Sequence, residues 1–337
     1  MNGMTNHAAS PGLWALAWRR LRADRIAMVA LAVVGLFLLM LVLSASGVIA
    51  ADWEDEVAVN YAPPTFVGAN PALAALAQPQ RPTPPNAFDP LAEELEALKR
   101  EVGRTHAPVA KAETLPFGAD KWGHDILKKT IKGGETSIVV GLVAAFVAVA
   151  LGTLFGAISG FYGGIVDDVF NWFYSIFTSI PSILMILTVA AVLQQKGVTT
   201  IVLILGLTGW TGPYRLIRAE YIKHKAREYV MAADAIGASS WRKMFSHIFP
   251  NVSHVALVQV SILVVGFIKA EVILSFLGFG VPVGTVSWGS MLNEAQNELI
   301  LGKWWQLAAA ASAMALLVTA FSLFTDALRD ALDPKLK

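Results

Sequence analysis

The sequence predicts an all-α polytopic membrane protein with about six transmembrane helices, and two observations lead there. Apolar residues make up 55% of the chain and charged residues 15%, with a mean hydropathy of +0.56, far from the composition of a soluble globular protein. The apolar residues also gather into runs at 26–50, 138–160, 170–193, 199–214, 252–277 and 304–324. Each run approaches or exceeds the roughly 20 residues that an α-helix needs to cross the hydrocarbon core. Cysteine is absent, which excludes disulfides and thiolate metal sites within the chain. A net charge of +1 singles out no partner beyond the lipid bilayer, and no nucleic acid is expected.

The first run follows Arg19, Arg20, Arg22 and Arg25. It is longer than the 7–15 residues of a signal-peptide core, so it is read as an uncleaved first helix. The excess of Lys and Arg on cytoplasmic flanks places residues 1–25 inside. Alternation through six spans then puts 215–251 inside as well. That segment holds Arg215, Arg218, Lys223, Lys225, Arg227, Arg242 and Lys243, so the two indications agree. The turn FYGGIVDD (161–168) is the one inner connection without a cation. The tail 331–337 is expected inside.

Residues 51–137 form a long outward segment. Its middle is rich in Ala and Pro, and it continues into LAEELEALKREVGR, where Leu91, Leu95, Leu98 and Val102 share one side of a short amphipathic helix. It reads either as a solvated linker or as a platform for an extracytoplasmic partner. In the second run, Gly152, Gly156 and Gly160 recur every four residues, stripping one face to backbone so that another helix can come close. In the fifth run, Lys269 and Glu271 are charges at membrane depth. They are expected to face the bundle interior or a wet cavity, with snorkelling to the outer interface the alternative for Lys269.

Motifs for chemistry are missing. The nearest approach to a phosphate loop, GADKWGHD, has His124 where the gripping Lys would be. The six histidines form no ligand pair on one helical side. The stretch EYVMAADAIGASSWRKMFSHIFPN (228–251) reads differently. Glu228 to Ile236 is helix-permissive, Ala232 and Ala233 form a smooth patch, and Gly237 can take the left-handed conformation that ends a helix. Ser239 or Ser240 can cap the next helix, and Pro250 is expected to close it. Small residues at the bend suit close approach by another protein better than they suit lipid.

On these residues the chain resembles the permease subunits of binding-protein-dependent ABC importers, in the dipeptide, oligopeptide and nickel class, and within it the second permease of the pair. Ala232, Ala233, Gly237 and Pro250 keep the spacing of that family's cytoplasmic loop, and His247, Pro250 and Asn251 match its H-x-x-P-N. Met231 stands where the family usually has Glu. Gly118, Asp120, Gly123 and Asp125, then Gly163, Gly164, Asp167 and Pro181, then SFLGFG and SWG, and the ending TDALRDALDPKLK follow the family's order. Trp172 and Ser175 replace an Arg and an Asp together, and Val283 and Gly284 replace a Pro pair.

The resemblance implies a type I ABC importer permease (MetI-like) architecture over 138–330. It implies a transport subunit rather than an enzyme, with no cofactor of its own, since ATP and Mg belong to partner ATPase subunits. The partners implied are a second homologous permease, two ABC ATPases and an extracytoplasmic solute-binding protein, at the bacterial inner membrane. Residues 215–251 would be the coupling loop, with Glu228, Ala232, Ala233, Gly237, Ser239, Arg242, His247 and Pro250 as its contacts. Arg227, Arg242 and Lys243 would pair with acidic groups on the ATPase, and Glu271 and Lys269 would be candidates for the translocation path. Peptides are the expected solute, with nickel chelates, glutathione or antimicrobial peptides as alternatives. A membrane channel or sensor holding a cytoplasmic partner is the reading from another class.

Overall fold

The computed structural model describes residues 13–68, 91, 94–95, 97–98, 111–282 and 284–332. Helix α1 (Leu13–Ala23) leads into α2 (Arg25–Ala45). Between them Asp24 accepts hydrogen bonds from the amides of Ile26 (2.9 Å) and Ala27 (3.2 Å), satisfying donors that a helix start leaves orphaned.

Helix α3 runs over Ile126–Tyr162 and begins twelve residues before the apolar run at 138. Its 37 residues extend about 55 Å, well beyond the ~30 Å hydrocarbon core. The first turns carry Lys128, Lys129, Lys132 and Glu135, which is why hydropathy does not reveal them.

The runs 170–193 and 199–214 are each divided. Helices α4 (Gly164–Ser179) and α5 (Ser182–Leu193) meet at 86°. Ile180 is extended there (φ −103°, ψ 130°), as the residue before a proline prefers. Helices α6 (Val198–Thr208) and α7 (Thr211–Lys225) are separated at Gly209 and Trp210, and Pro213 sits in the first turn of α7, where its missing N–H costs nothing. Among the described residues, four helices are long and apolar enough to cross a membrane, or five if the bent pair counts as one span. The run 199–214, expected as a further span, falls on the broken α6–α7 pair, which is not counted among these.

Beyond α7 come α8 (Glu228–Ala235), α9 (Ser240–Arg242), a π-helical turn (Lys243–Ile248) and α10 (Phe249–Phe276). The chain then forms α11 (Trp288–Ile300) and α12 (Trp305–Leu332). Ser287 and Ser290 make a reciprocal capping box that starts α11.

Helix α3 is the central element, packed most extensively on α7 and α10. The glycine stripe makes that possible. A Cβ on Gly152, Gly156 or Gly160 would lie 2.6, 2.8 or 2.6 Å from the carbonyl oxygens of Trp210, Tyr214 and Arg218, so the stripped face receives the α7 backbone. Trp288, 1% exposed, anchors the main core. Its indole donates to the Thr130 carbonyl (2.9 Å) and it meets Phe37 edge-on.

Residues 51–68 and 111–125 are stitched by isolated bridges (Glu56–His124, Ala58–Ala112, Pro64–Leu115) into a small cap over one end of the bundle. Trp305 ties it down by donating to the Ala119 carbonyl (2.8 Å). The amphipathic segment expected at 91–102 falls largely outside the described residues. Glu94, Leu95, Ala97 and Leu98 are helical, and both leucines are exposed.

Candidate functional site

At the end opposite the cap, α8, the Gly237 bend and α9 project from the bundle. Helix α8 ends as the sequence suggests. Gly237 is left-handed (φ +77°), and the Ala238 amide donates to the Ala233 carbonyl (2.9 Å), the six-to-one bond of a Schellman turn. Ser239 supplies the cap, its hydroxyl accepting from the Arg242 amide (3.3 Å).

Four expectations change here. Pro250 does not close a helix: Ser240–Phe276 is one continuous helical path, with Pro250 in the first turn of α10. The wider π turn just before it moves the preceding carbonyls away from the proline ring, which would clash with them in a regular helix. Ala233 is 4% exposed and packs inward, whereas Ala232 is exposed, so only one alanine of the pair is available to a partner. Lys243 is occupied within the loop, 2.5 Å from Asp234. Lastly, the bend is not made of small residues alone. Ile236 is 84% exposed, Trp241 62% and Met231 55%, an apolar surface rimmed by the exposed Glu228, Asp234 and Arg242. Trp241 packs on Phe245 within the loop (ring centroids 4.3 Å), while Ile236 and Met231 stand largely exposed beside it. His247 is half-buried, and its carbonyl accepts from Asn251 Nδ2 (2.8 Å).

The loop rests on a firm base. Tyr221, fully buried, donates to the Met244 carbonyl (3.1 Å), joining α7 to the π turn. Arg218 holds Asp167 through Nε (2.6 Å) and Nη2 (2.5 Å), and Ser159 also donates to Asp167. The cation missing from the 161–168 turn is therefore supplied by α7. Trp172 is 67% exposed, and the Ser175 hydroxyl donates to the Asn171 carbonyl (2.8 Å).

The two ionisable residues in the fifth run lie in different surroundings. Glu271 is fully buried and accepts from Ser137 and Ser275, both at 2.6 Å. Ser137 in turn accepts from the Trp288 amide (3.2 Å), so Glu271 joins α3, α10 and α11. Lys269 is exposed, on a stripe of α10 with Ile262, Gly266, Ile273 and Phe276.

At the cap end, Lys129 bridges Asp120 (2.7 Å) and Glu294 (2.6 Å). Burial opposes charge on Asp120, yet Lys129 and the amides of Trp122 and His124 hold its carboxyl below the usual range. Burial pushes Glu298, 2% exposed, up to about 7 against the pull of Lys129. No group of three or more metal-ligating side chains occurs among the described residues.

Residues 152–337 match the family model described as "Binding-protein-dependent transport system inner membrane component", and 12–64 match "N-terminal TM domain of oligopeptide transport permease C". The chain is 31% identical over 325 residues to a dipeptide transport system permease protein of Lactococcus lactis, covering 95% of this chain and 90% of the relative. It is 37% identical over 221 residues to an oligopeptide transport system permease protein of Bacillus subtilis (66% and 72% covered). A dipeptide transport system permease protein of the same organism is 34% identical over 221 residues (66% and 69% covered). With its multi-pass helical bundle and a family match over more than half its length, the chain belongs to the family of binding-protein-dependent transport system inner membrane components.

Proposed function

We propose that this chain is one of two permeases of a peptide importer in the bacterial inner membrane. In this reading, the loop 215–251 couples it to separate ATPase subunits, and the cap faces a solute-binding protein outside. The observation that carries the coupling role is the exposed apolar surface of Met231, Ile236 and Trp241 around a capped, rigid bend. The 37-residue path Ser240–Phe276 is about 55 Å long, more than the ~40–45 Å of a bilayer with its headgroups. A surface at its far end reaches past the lipid, which favours a protein partner. ATP and Mg would bind in the partner, and motion would follow from contacts that differ between the two states of that partner. Peptides as the solute rest on the names of the relatives, which are dipeptide and oligopeptide permeases.

The test is purification of the tagged chain from its native membranes in mild detergent, with mass spectrometry of what accompanies it. A second permease and ATP-binding subunits are expected, with the ATPases lost from Ile236→Asp and Trp241→Asp while the permease pair persists. Recovery of the chain alone, under conditions that preserve other transporters, would favour a channel or sensor instead. Uptake of labelled di- and oligopeptides, set against nickel chelates and glutathione, tests the solute.

A further inference from the structure

A cleft of about 930 Å³ opens at the loop end between α7, α10 and the last turn of α12. We propose that it binds one anionic phospholipid of the inner leaflet, phosphate at the basic rim and an acyl chain along the apolar floor.

The rim carries Lys223, Arg227 and Arg329, so Arg227, expected from the sequence to meet the ATPase, lies on the cleft instead. Its one acid, Glu220, is already engaged by Lys223 (3.0 Å) and His224 (3.5 Å). Among the described residues no carboxylate lies within ion-pair distance of Arg227 or Arg329. Nδ1 of His254 is buried in the same wall without a hydrogen-bond partner. The floor, deeper in, is apolar along Leu216, Val258 and Ile262, with Gln259 the polar side chain among them.

Depth separates the two halves. Measured from Phe276 at 1.5 Å per residue, Ile262 and Val258 lie about 21 and 27 Å down α10, inside a ~30 Å hydrocarbon core, while His254 lies at about 33 Å, at its edge. Along α12, Arg329 stands about 36 Å from Trp305, at headgroup level. A soluble anion would meet the rim but leave the floor unused. A phospholipid meets both, and basic pockets between helices on the cytoplasmic side suit anionic headgroups.

The proposal rests on the inward orientation of 215–251. Because the chain has no native cysteine, a single cysteine at exposed Ala226, labelled from either side of sealed vesicles, tests that orientation separately. For the lipid, the full complex is reconstituted in mixed phosphatidylcholine and phosphatidylglycerol vesicles, and retained lipid is counted by native mass spectrometry. Phosphatidylglycerol should be retained over phosphatidylcholine. The pair Arg227→Ala and Arg329→Ala should cut that retention roughly tenfold or more, on the scale of losing two basic residues beside an anionic headgroup. The corresponding Lys pair should restore most of it, and Lys225→Ala, exposed at the same end but outside the cleft, should leave it unchanged. Ile262→Trp, on a partly exposed lining residue away from the rim, should expel the lipid with the rim intact. Equal retention of the two lipids, indifference to the Arg pair, or displacement by inorganic phosphate alone would overturn the proposal.

Discussion

Gly237 shows how far one residue can be read. A Cβ there would meet nothing within 4 Å, so its requirement is the positive φ of +77° alone, a conformation that costs an L-residue about 1–2 kcal/mol. Gly237→Leu is therefore expected to reshape the bend without unfolding the bundle. ATP hydrolysis should separate from uptake, and wild-type uptake by the variant would remove the coupling assignment. Glu271 makes the opposite case. Its charge at membrane depth was visible in the sequence, but its partners Ser137 and Ser275 were not. Ser137→Ala removes a donor from Glu271 and an acceptor from the Trp288 amide, and should cost about 1–3 kcal/mol, measured by thermal unfolding in detergent. Unchanged transport and substrate-stimulated ATPase in Glu271→Gln would leave the residue a purely structural role.

Helices α3 and α7 meet backbone to backbone along the glycine stripe. Gly156→Val would press a branched side chain against the Tyr214 carbonyl and Ile217, atoms 2.8–3.1 Å from a Cβ. Overpacking of this kind costs about 1–3 kcal/mol. Because α7 carries Arg218 and Tyr221, which hold the 161–168 turn and the π turn, the variant should lower the melting temperature and also loosen the loop, seen as faster amide exchange over 228–248. The i, i+4 spacing announced the close approach. Which helix would fill the groove depended on long-range pairing, and α7 was obscured by the break at Gly209 and Trp210.

Across the molecule, the bundle is clamped at the cap end by a polar cluster with one lysine among three carboxylates. Glu298 faces Lys129, Asp120, Glu294 and Tyr61, and burial raises its pKa to about 7. A raised carboxyl pKa adds stability in full below its ordinary value of 4.5, and that contribution is lost as pH rises through about 7. Thermal stability should accordingly fall between about pH 5 and pH 8, by on the order of 2–3 kcal/mol, and Glu298→Gln should flatten that slope. An unchanged slope in the variant would place the titration elsewhere.

Composition and apolar runs were enough to establish a helical membrane protein, because burying backbone in lipid leaves few alternatives to the helix. Local chemistry was enough for the Gly237 bend, the Ser239 cap and the close-packing face of α3, since each depends on neighbours within a few residues. The twelve-residue extension of α3, the unbroken path through Pro250, the inward turn of Ala233 and the Lys243–Asp234 pair were decided by tertiary structure. Each depends on which other segment comes near: Lys129 is usable at the head of α3 because Asp120 and Glu294 surround it, and Pro250 follows a π turn that Tyr221 of α7 holds in place. A sequence records the groups that need partners, and only the packed bundle determines which partners they meet.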